Sequence, residues 1–340
     1  MIIYEKDIYV GAPVVSIIVI TYNQKEYLRE CLDSIINQVV DFPIEIIIGD
    51  DCSIDGTTNI CCEYQKKYPK FVKLILNEKN IGLVRNYLSV LSHCNGRYIA
   101  QIAGDDYWCD MNKLSIQKSY LDMNANVGLV YTDTYVLNAG KMISNFLSYS
   151  IKNFKDHLRT PGYLAPNTWM YRSEYNPNKI LTEDAIGYVD ESYGYLLDMF
   201  QISKVDFIPR YTAVYRQHQG SISFYSSIEK DYIYSKGLFK IKKDYIKKYQ
   251  FQDQNFIHEI YSNGYLQLIE GALYVNDEEF LNEIASYVNI HGVKYEALKR
   301  VAENAIDWRK RHMSVCGSTA YKVGKILIRP FAWIKRMFAR

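Results

Sequence analysis

The first part of the chain alternates between short β-branched apolar runs and segments whose apolar residues recur every three or four positions. Residues 14–21 form a nearly continuous apolar run of strand length, which predicts a strand buried on both faces. Residues 25–38 then carry apolar residues at helical spacing. Further strands are predicted at 44–48, 71–76, 98–103 and 127–137, and further helices through Cys61 and Tyr64, at 83–91 and at 113–123.

Strands alternating with helices of this length predict a doubly wound, mostly parallel α/β sheet. Later segments are less regular, with a loop entering a strand at 162–171, a helix at 193–200 and a strand at 207–215. Residues 228–305 have helical periodicity with few turn signals, so we expect a helical C-terminal extension.

Two acidic pairs directly follow predicted strands, Asp50/Asp51 after the second and Asp105/Asp106 after the fourth. Ligands of such sheets bind beyond the carboxyl ends of the strands, so both pairs are candidate site residues. Adjacent carboxylates favour a hard divalent cation, Mn²⁺ or Mg²⁺, with Asp106 as the preferred direct ligand. An acidic turn that caps the next helix is the alternative for Asp105/Asp106.

The first strand and the third helix supply further candidates. A carboxylate of Asp50 or Asp51 could accept a hydrogen bond from the imide N–H of a uracil. Tyr22 ends the first strand and is placed to stack on a base, although ordinary packing is also open to it. Arg85 could bind phosphate as a planar fork, or it could be a solvated helix-surface arginine.

Four ordered segments resemble one known family. Residues 16–38 (SIIVITYNQKEYLRECLDSIINQ), 44–57 (IEIIIGDDCSIDGT), 80–86 (NIGLVRN) and 96–114 (GRYIAQIAGDDYWCDMNKL) are similar to the nucleotide-sugar-binding half of glycosyltransferase family 2. The resemblance implies a GT-A fold and an inverting, metal-dependent transfer from a nucleotide sugar. It covers residues 13–225, divided into a nucleotide-sugar-binding half (13–125) and an acceptor-binding half (126–225).

The resemblance also implies roles for particular residues. Tyr22 and Asp51, with Asp50 and Asp105 beside them, would face the nucleotide, and Arg85 would hold nucleotide or diphosphate. Asp105 and Asp106 would correspond to the family's metal-binding acid pair. The segment VYRQHQGSIS (214–223) is similar to a closing motif of the family, in which His218 would ligate the metal or contact the diphosphate and Arg216 would neutralise it.

An inverting transfer needs a base that takes the proton of the acceptor hydroxyl. The resemblance implies an acid at the start of a helix after the acceptor-side strand, and Glu191 is preferred to Asp190 for this role. Favourable placement of acids in a helix first turn is the alternative, and Glu183/Asp184 lie just upstream. Trp108 and Trp169 are candidates for the wall of the sugar or acceptor site, with core packing as the competing interpretation.

The composition is that of a folded protein, but the charge is unevenly distributed along the chain. The 340 residues are 48% hydrophobic and 23% charged, which excludes disorder. Residues 308–340 hold nine Lys/Arg and no acid, which leaves 31 basic against 38 acidic residues before them. This basic, aromatic-bearing tail predicts binding to an anionic membrane surface, with docking on the acidic body as an alternative and nucleic acid disfavoured.

Other features of the sequence limit the compartment. Seven cysteines form no CxxC pair, which favours reduced thiols and no zinc site. We find no secretory signal and no run of about 18 apolar residues. The expected location is therefore cytoplasmic, with peripheral association at the inner face of the plasma membrane.

These observations predict three parts: a glycosyltransferase domain (13–225), a helical subdomain (226–307) and the basic tail (308–340). The expected function is hexosyl transfer from a nucleoside diphosphate sugar, favoured as UDP-linked, to a saccharide or lipid-linked saccharide in capsule or lipopolysaccharide assembly. A non-catalytic sugar-nucleotide-binding or scaffold protein of the same fold is the alternative. A dehydrogenase is disfavoured because no GxGxxG follows a strand.

Overall fold

The computed structural model describes residues 12–144, 151–160, 164–180, 187–218, 220 and 227–291. The first half alternates strands and helices as the sequence predicts. These elements are β1 Val15–Thr21, α1 Leu28–Ile36, β2 Ile44–Asp50, α2 Thr57–Lys67, β3 Val72–Leu76, α3 Leu83–Leu91, β4 Tyr98–Ala103, β5 Tyr107–Trp108 and α4 Lys113–Met123.

The elements after Met123 build the other side of the sheet and the helices that cover it. They are β6 Val127–Asn138, β7 Lys141–Ser144, α5 Phe154–Arg159, β8 Met170–Arg172, α6 Pro177–Ile180, α7 Glu191–Ile202, β9 Lys204–Gln217, α8 Ile228–Lys248, α9 Gln254–Val275 and α10 Glu278–His291. Short 3₁₀ turns occupy Pro166–Thr168 and Ser173–Tyr175.

Nine strands of the described ranges form one mixed sheet in the order β3-β2-β1-β4-β8-β6-β9-β5, with β7 beside β6. β3, β2, β1 and β4 are parallel, and β8 is antiparallel to both of its neighbours. All residues of β1 and β2 are buried, because helices cover both faces of a parallel sheet. The predicted α/β class and GT-A architecture are confirmed.

The parallel pairing brings the ends of β1, β2 and β4 to one edge. Thr21 is aligned with Asp50, and Ile20 with Ala103, so the acidic pairs that follow β2 and β4 flank the end of β1. β9 is longer than predicted and runs parallel to β6 as far as Gln217. This length carries Arg216 to the same edge of the sheet.

The chain divides into two compact units, Met1–Ile260 and Tyr261–Arg340. The first extends past residue 225, where the sequence places the end of the glycosyltransferase domain, because α8 packs on α7. In the second unit, Tyr265 contacts the rings of Phe280 and Tyr287 and donates a hydrogen bond to Glu283. The predicted helical character holds through α10, and the rest of 226–307 and the tail lie outside the described residues.

Candidate active site

A cavity of about 590 Å³ lies beyond the carboxyl ends of β1, β2 and β4. Its walls include side chains from both predicted halves of the domain and from α8. Tyr22, Asp51, Asp105, Asp106, Asp190 and Glu191 all line it. One cavity therefore collects these six residues, which the sequence placed in separate motifs.

Asp51 is held at one side of this cavity by three donors. Its Oδ1 accepts from Asn77 Nδ2 and Ile81 N, and its Oδ2 accepts from Gly82 N, each at 2.9 Å. These neutral donors stabilise the carboxylate without a cation, and each oxygen keeps further lone-pair capacity. Asn77 was not recognised in the sequence, because its importance comes only from facing Asp51 across the sheet edge.

Tyr22 is 44% exposed and lines the cavity. The residues after Tyr22 and Asp51 both have positive φ, 52° at Asn23 and 65° at Cys52. Non-glycine residues adopt this conformation at a cost, so surrounding contacts must hold it. The two loops supply such contacts, since Asn23 N donates to Ser53 Oγ and Asn23 Oδ1 accepts from Ile54 N, both at 2.9 Å.

Asp50 and Arg85 are placed differently from the other predicted site residues. Asp50 is buried, and its carboxylate accepts from Ser53 and Thr58 and is not part of the cavity lining. It therefore shapes the loop that carries Asp51. Arg85 is exposed on α3 and does not line the cavity, although Asn86 and Tyr87 of the same helix do.

The second acidic pair lies at the cavity floor. Asp106 is buried, with Oδ1 accepting from Arg216 N at 2.9 Å and Oδ2 accepting from Asn167 Nδ2 at 2.8 Å. Burial, with the neighbouring charge of Asp105, holds the pKa of Asp106 well above its ordinary value. A cation between the two carboxylates would relieve this repulsion.

The closing motif reaches Asp105 from the end of β9. Arg216 Nε donates to Asp105 O at 2.8 Å, and its Nη2 forms an ion pair with Glu30 at 2.6 Å. His218 Nδ1 accepts from Gly220 N at 3.1 Å, so the ring proton lies on Nε2, which donates to Asp105 Oδ2 at 3.1 Å. In this arrangement His218 orients Asp105, and the guanidinium of Arg216 is directed to Glu30.

The residues at the floor fit a divalent cation that completes its coordination with a ligand. In the described ranges, no group of three or more His, Cys, Asp or Glu side chains could enclose a metal ion. Asp105 and Asp106 still offer the hard oxygens that Mn²⁺ and Mg²⁺ prefer, and these ions commonly share coordination with substrate phosphates. Three buried oxygens of the lining have no partner within the described chain: Thr21 Oγ1, Gln24 Oε1 and Asn167 Oδ1.

The acceptor-side acids have distinct surroundings. Asp190 is the N-cap of α7, and its Oδ1 accepts from Ser192 Oγ at 2.5 Å and from Tyr193 N at 3.1 Å. Its Oδ2 accepts from Tyr234 OH at 2.7 Å. Glu191 is half-buried and has no hydrogen-bonding side chain against its carboxylate in the described structure. Burial and the charge of Asp190 raise the pKa of Glu191 to about 7.

Asp190 and Glu191 therefore differ in how their carboxylates are engaged. Both line the cavity, but the carboxylate of Asp190 is engaged at the helix terminus, whereas Glu191 has lone pairs available and a pKa suited to accepting a proton near neutrality. Tyr234 was not recognised in the sequence, since it lies far along the chain on a helix with no motif. Glu183 and Asp184 lie outside the described residues.

Both candidate wall tryptophans lie in the core. Trp108 donates from Nε1 to Asn167 O at 2.9 Å, and Trp169 is 1% exposed. Neither lines the cavity, whose wall near them is instead formed by Ala165, Pro166 and Asn167. The two indoles pack in the core beside the turn that carries Asn167, in agreement with the core-packing interpretation.

Known proteins resemble this chain in sequence and in fold. Residues 16–176 match the family model described as glycosyl transferase family 2. The uncharacterized protein Rv1520 of Mycobacterium tuberculosis H37Rv is 35% identical over 214 residues, which cover 61% of this chain and 60% of that protein. The chain thus spans about three fifths of the length of such curated relatives.

Two solved structures share the fold. The structure of S. aureus TarS 1-349 in complex with UDP aligns with a TM-score of 0.56 and 18% identity, covering 86% of this chain and 87% of that one. The mannosyltransferase PcManGT from Pyrobaculum calidifontis, in complex with GDP-Man and Mn²⁺, aligns with a TM-score of 0.53 and 15% identity, covering 87% and 86%. Residues 16–176 thus resemble glycosyltransferase family 2, and the chain shares the GT-A fold of these two solved structures.

Proposed function

We propose that the protein is an inverting glycosyltransferase that moves a hexosyl group from a nucleoside diphosphate sugar to a hydroxyl of a saccharide or lipid-linked saccharide. The observation that carries the proposal is the single cavity lined by Asp51, Asp105, Asp106 and Glu191. Such a cavity can hold a nucleotide, a charged diphosphate and an acceptor together. The relatives with bound UDP and GDP-Man have the same fold.

The base of the donor would lie against Tyr22, with its polar edge at Asp51. We propose uracil, because a carboxylate accepts well from the imide N–H of that base. The fixed loops after Tyr22 and Asp51 keep both groups in place before the donor arrives, which reduces the ordering cost of binding. Asp105 and Asp106 would hold Mn²⁺ or Mg²⁺, and the bound ion would supply charge stabilisation to the departing diphosphate.

Transfer would then follow from the position of Glu191. The acceptor oxygen forms a bond to the anomeric carbon while the bond from that carbon to the diphosphate oxygen breaks, and its electron pair leaves with the nucleoside diphosphate. Glu191 takes the acceptor proton, which requires its ionised form. Asp190 keeps the first turn of α7 in place, so the two acids do not exchange roles in this scheme.

Screening UDP-, GDP- and dTDP-sugars by thermal shift with Mn²⁺, followed by nucleotide release, tests the proposal. A specific donor should raise the melting temperature, more so the tighter it binds, and should be hydrolysed slowly without acceptor. Binding without any turnover, with or without saccharide acceptors, would favour the non-catalytic alternative. Failure of every nucleotide to bind would refute the proposal as a whole.

The location of the reaction rests on the sequence of the tail. None of the helices in the described ranges is long and apolar enough to cross a bilayer. We propose peripheral attachment at the inner face of the plasma membrane through residues 308–340, consistent with a lipid-linked acceptor in surface-polysaccharide assembly. Deleting 332–340 should move the protein from membrane to supernatant on fractionation, and an unchanged distribution would refute the attachment.

A further inference from the structure

Helix α8 follows the segment that matches the family, yet it packs directly on the acceptor-side acids. Gly237 faces Val189 so closely that an added Cβ would lie 2.4 and 2.5 Å from the two γ-carbons of Val189. Two turns beyond, Tyr188 OH donates to Asp244 Oδ2 at 3.2 Å. The segment that leads into α7 is therefore in close contact with α8 along about two turns of that helix.

A buried polar cluster fixes the far end of the same helix pair. Asp198 of α7 is 1% exposed and accepts from Tyr245 OH at 2.9 Å, and from Lys248 Nζ and Tyr249 OH at 2.5 Å. A buried carboxylate with three donors specifies one arrangement of the elements that share it. The register of α8 on α7 is thus set at a point remote from the cavity.

In this register, Tyr234 of α8 reaches the cavity wall and donates to Asp190 Oδ2 at 2.7 Å. With Oδ1 engaged by Ser192 and Tyr193, both oxygens of Asp190 are occupied. Asp190 is then oriented by groups on two helices, whereas the neighbouring Glu191 carboxylate is left to the cavity.

We propose that Tyr234 is a positioning residue for the transfer reaction, which it serves by holding Asp190 in its capping role so that Glu191 alone meets the acceptor hydroxyl. The proposal rests on the proposed function and extends it to a helix outside residues 16–176. Without the Tyr234 hydroxyl, Asp190 Oδ2 would lose its partner and the carboxylate could rotate toward the cavity. The first turn of α7, and with it Glu191, would then sample more than one orientation.

Tyr234→Phe tests this assignment, with Tyr249→Phe as the matched control. Each removes one tyrosine hydroxyl that donates to an aspartate of the α7 region, but only Tyr234 lies at the cavity. Turnover of UDP-glucose, UDP-galactose and UDP-N-acetylglucosamine with Mn²⁺ should be measured as UDP release in the full chain. UDP titration by calorimetry then gives the number of competent sites.

We expect Tyr234→Phe to lower kcat about tenfold, the scale of one lost hydrogen bond to a charged group. The donor KM and the stoichiometry of UDP binding should stay within twofold of wild type, because the nucleotide side of the cavity is unchanged. Tyr249→Phe should keep kcat within twofold of wild type, because Tyr245 and Lys248 still donate to Asp198 and hold the register of α8. Hydrogen exchange of the Tyr193 amide, which donates to Asp190, should become faster in Tyr234→Phe alone.

Several results would overturn the assignment. An unchanged kcat in Tyr234→Phe, or an equal loss in Tyr249→Phe, would show that the hydroxyl has no specific effect on transfer. Activity in Glu191→Gln together with inactivity in Asp190→Asn would make Asp190 the base and contradict the proposal. If wild type releases UDP from no donor, the proposed function fails; if wild type is active and Tyr234→Phe matches it, only the role of Tyr234 fails.

Discussion

Glu191→Gln should make the protein inactive and, at neutral pH, more stable. Folding raises the pKa of this carboxyl from 4.5 to about 7 through burial and the charge of Asp190. Between pH 4.5 and 7 the folded state keeps a proton on Glu191 that the unfolded state has lost. As the pH rises through this range, the wild-type residue therefore lowers the free energy of unfolding. This loss of unfolding free energy has an upper limit of about 3 kcal/mol above pH 7 and vanishes below pH 4.5. Glutamine carries no such charge.

Urea unfolding followed by tryptophan fluorescence at pH 5, 6, 7 and 8 measures this difference. The advantage of Glu191→Gln over wild type should grow by about 2 to 3 kcal/mol between pH 5 and pH 8. The exposed Glu26→Gln variant serves as the control and should show no such trend. Wild-type kcat should rise with pH to a plateau above about 7, since the base must be ionised. An advantage that does not depend on pH, or a variant less stable at every pH, would refute the assigned environment of Glu191.

Three further changes test other parts of the structure. Asp106→Asn should lower Mn²⁺-dependent turnover at least about 100-fold, while its melting temperature without UDP stays similar to that of wild type. Near-normal turnover would exclude Asp106 from the cation site. Gly237→Ala should destabilise the protein by about 1 to 3 kcal/mol because its Cβ meets Val189, and Val189→Ala should restore stability in the double variant. A Gly237→Ala variant that is more stable than wild type, as helix propensity alone would make it, would contradict the close contact. Lys113, whose buried Nζ donates to Gln117 Oε1 at 2.6 Å, has its pKa lowered to about 7 by burial. The stability of wild type relative to Lys113→Met should therefore fall by about 1.4 kcal/mol per pH unit from pH 9.5 to 7.5, and a flat difference would refute that environment.

Much of the nucleotide side could be predicted because its signals are local. The apolar run of β1 and the helical spacing of α1 are properties of neighbouring residues. A parallel sheet brings strand ends to one edge whatever the loops do, so Asp51 and Asp106 could be placed near each other from the order of elements alone. The resemblance then attached chemical roles to those positions.

The roles of the acceptor-side residues could not be predicted in the same way, because they depend on contacts between residues distant in sequence. Asp190 and Glu191 are adjacent acids at one helix start, and the sequence could not show that Asp190 also accepts from Tyr234, 44 positions away. Trp108 and Trp169 illustrate the reverse case, since aromatic residues suit both a sugar site and a core, and packing placed them in the core. Short-range periodicity determined which elements form, because hydrophobic burial and backbone geometry act over a few residues. The tertiary structure alone decided which polar groups meet, because hydrogen bonds depend on positions that no local pattern encodes.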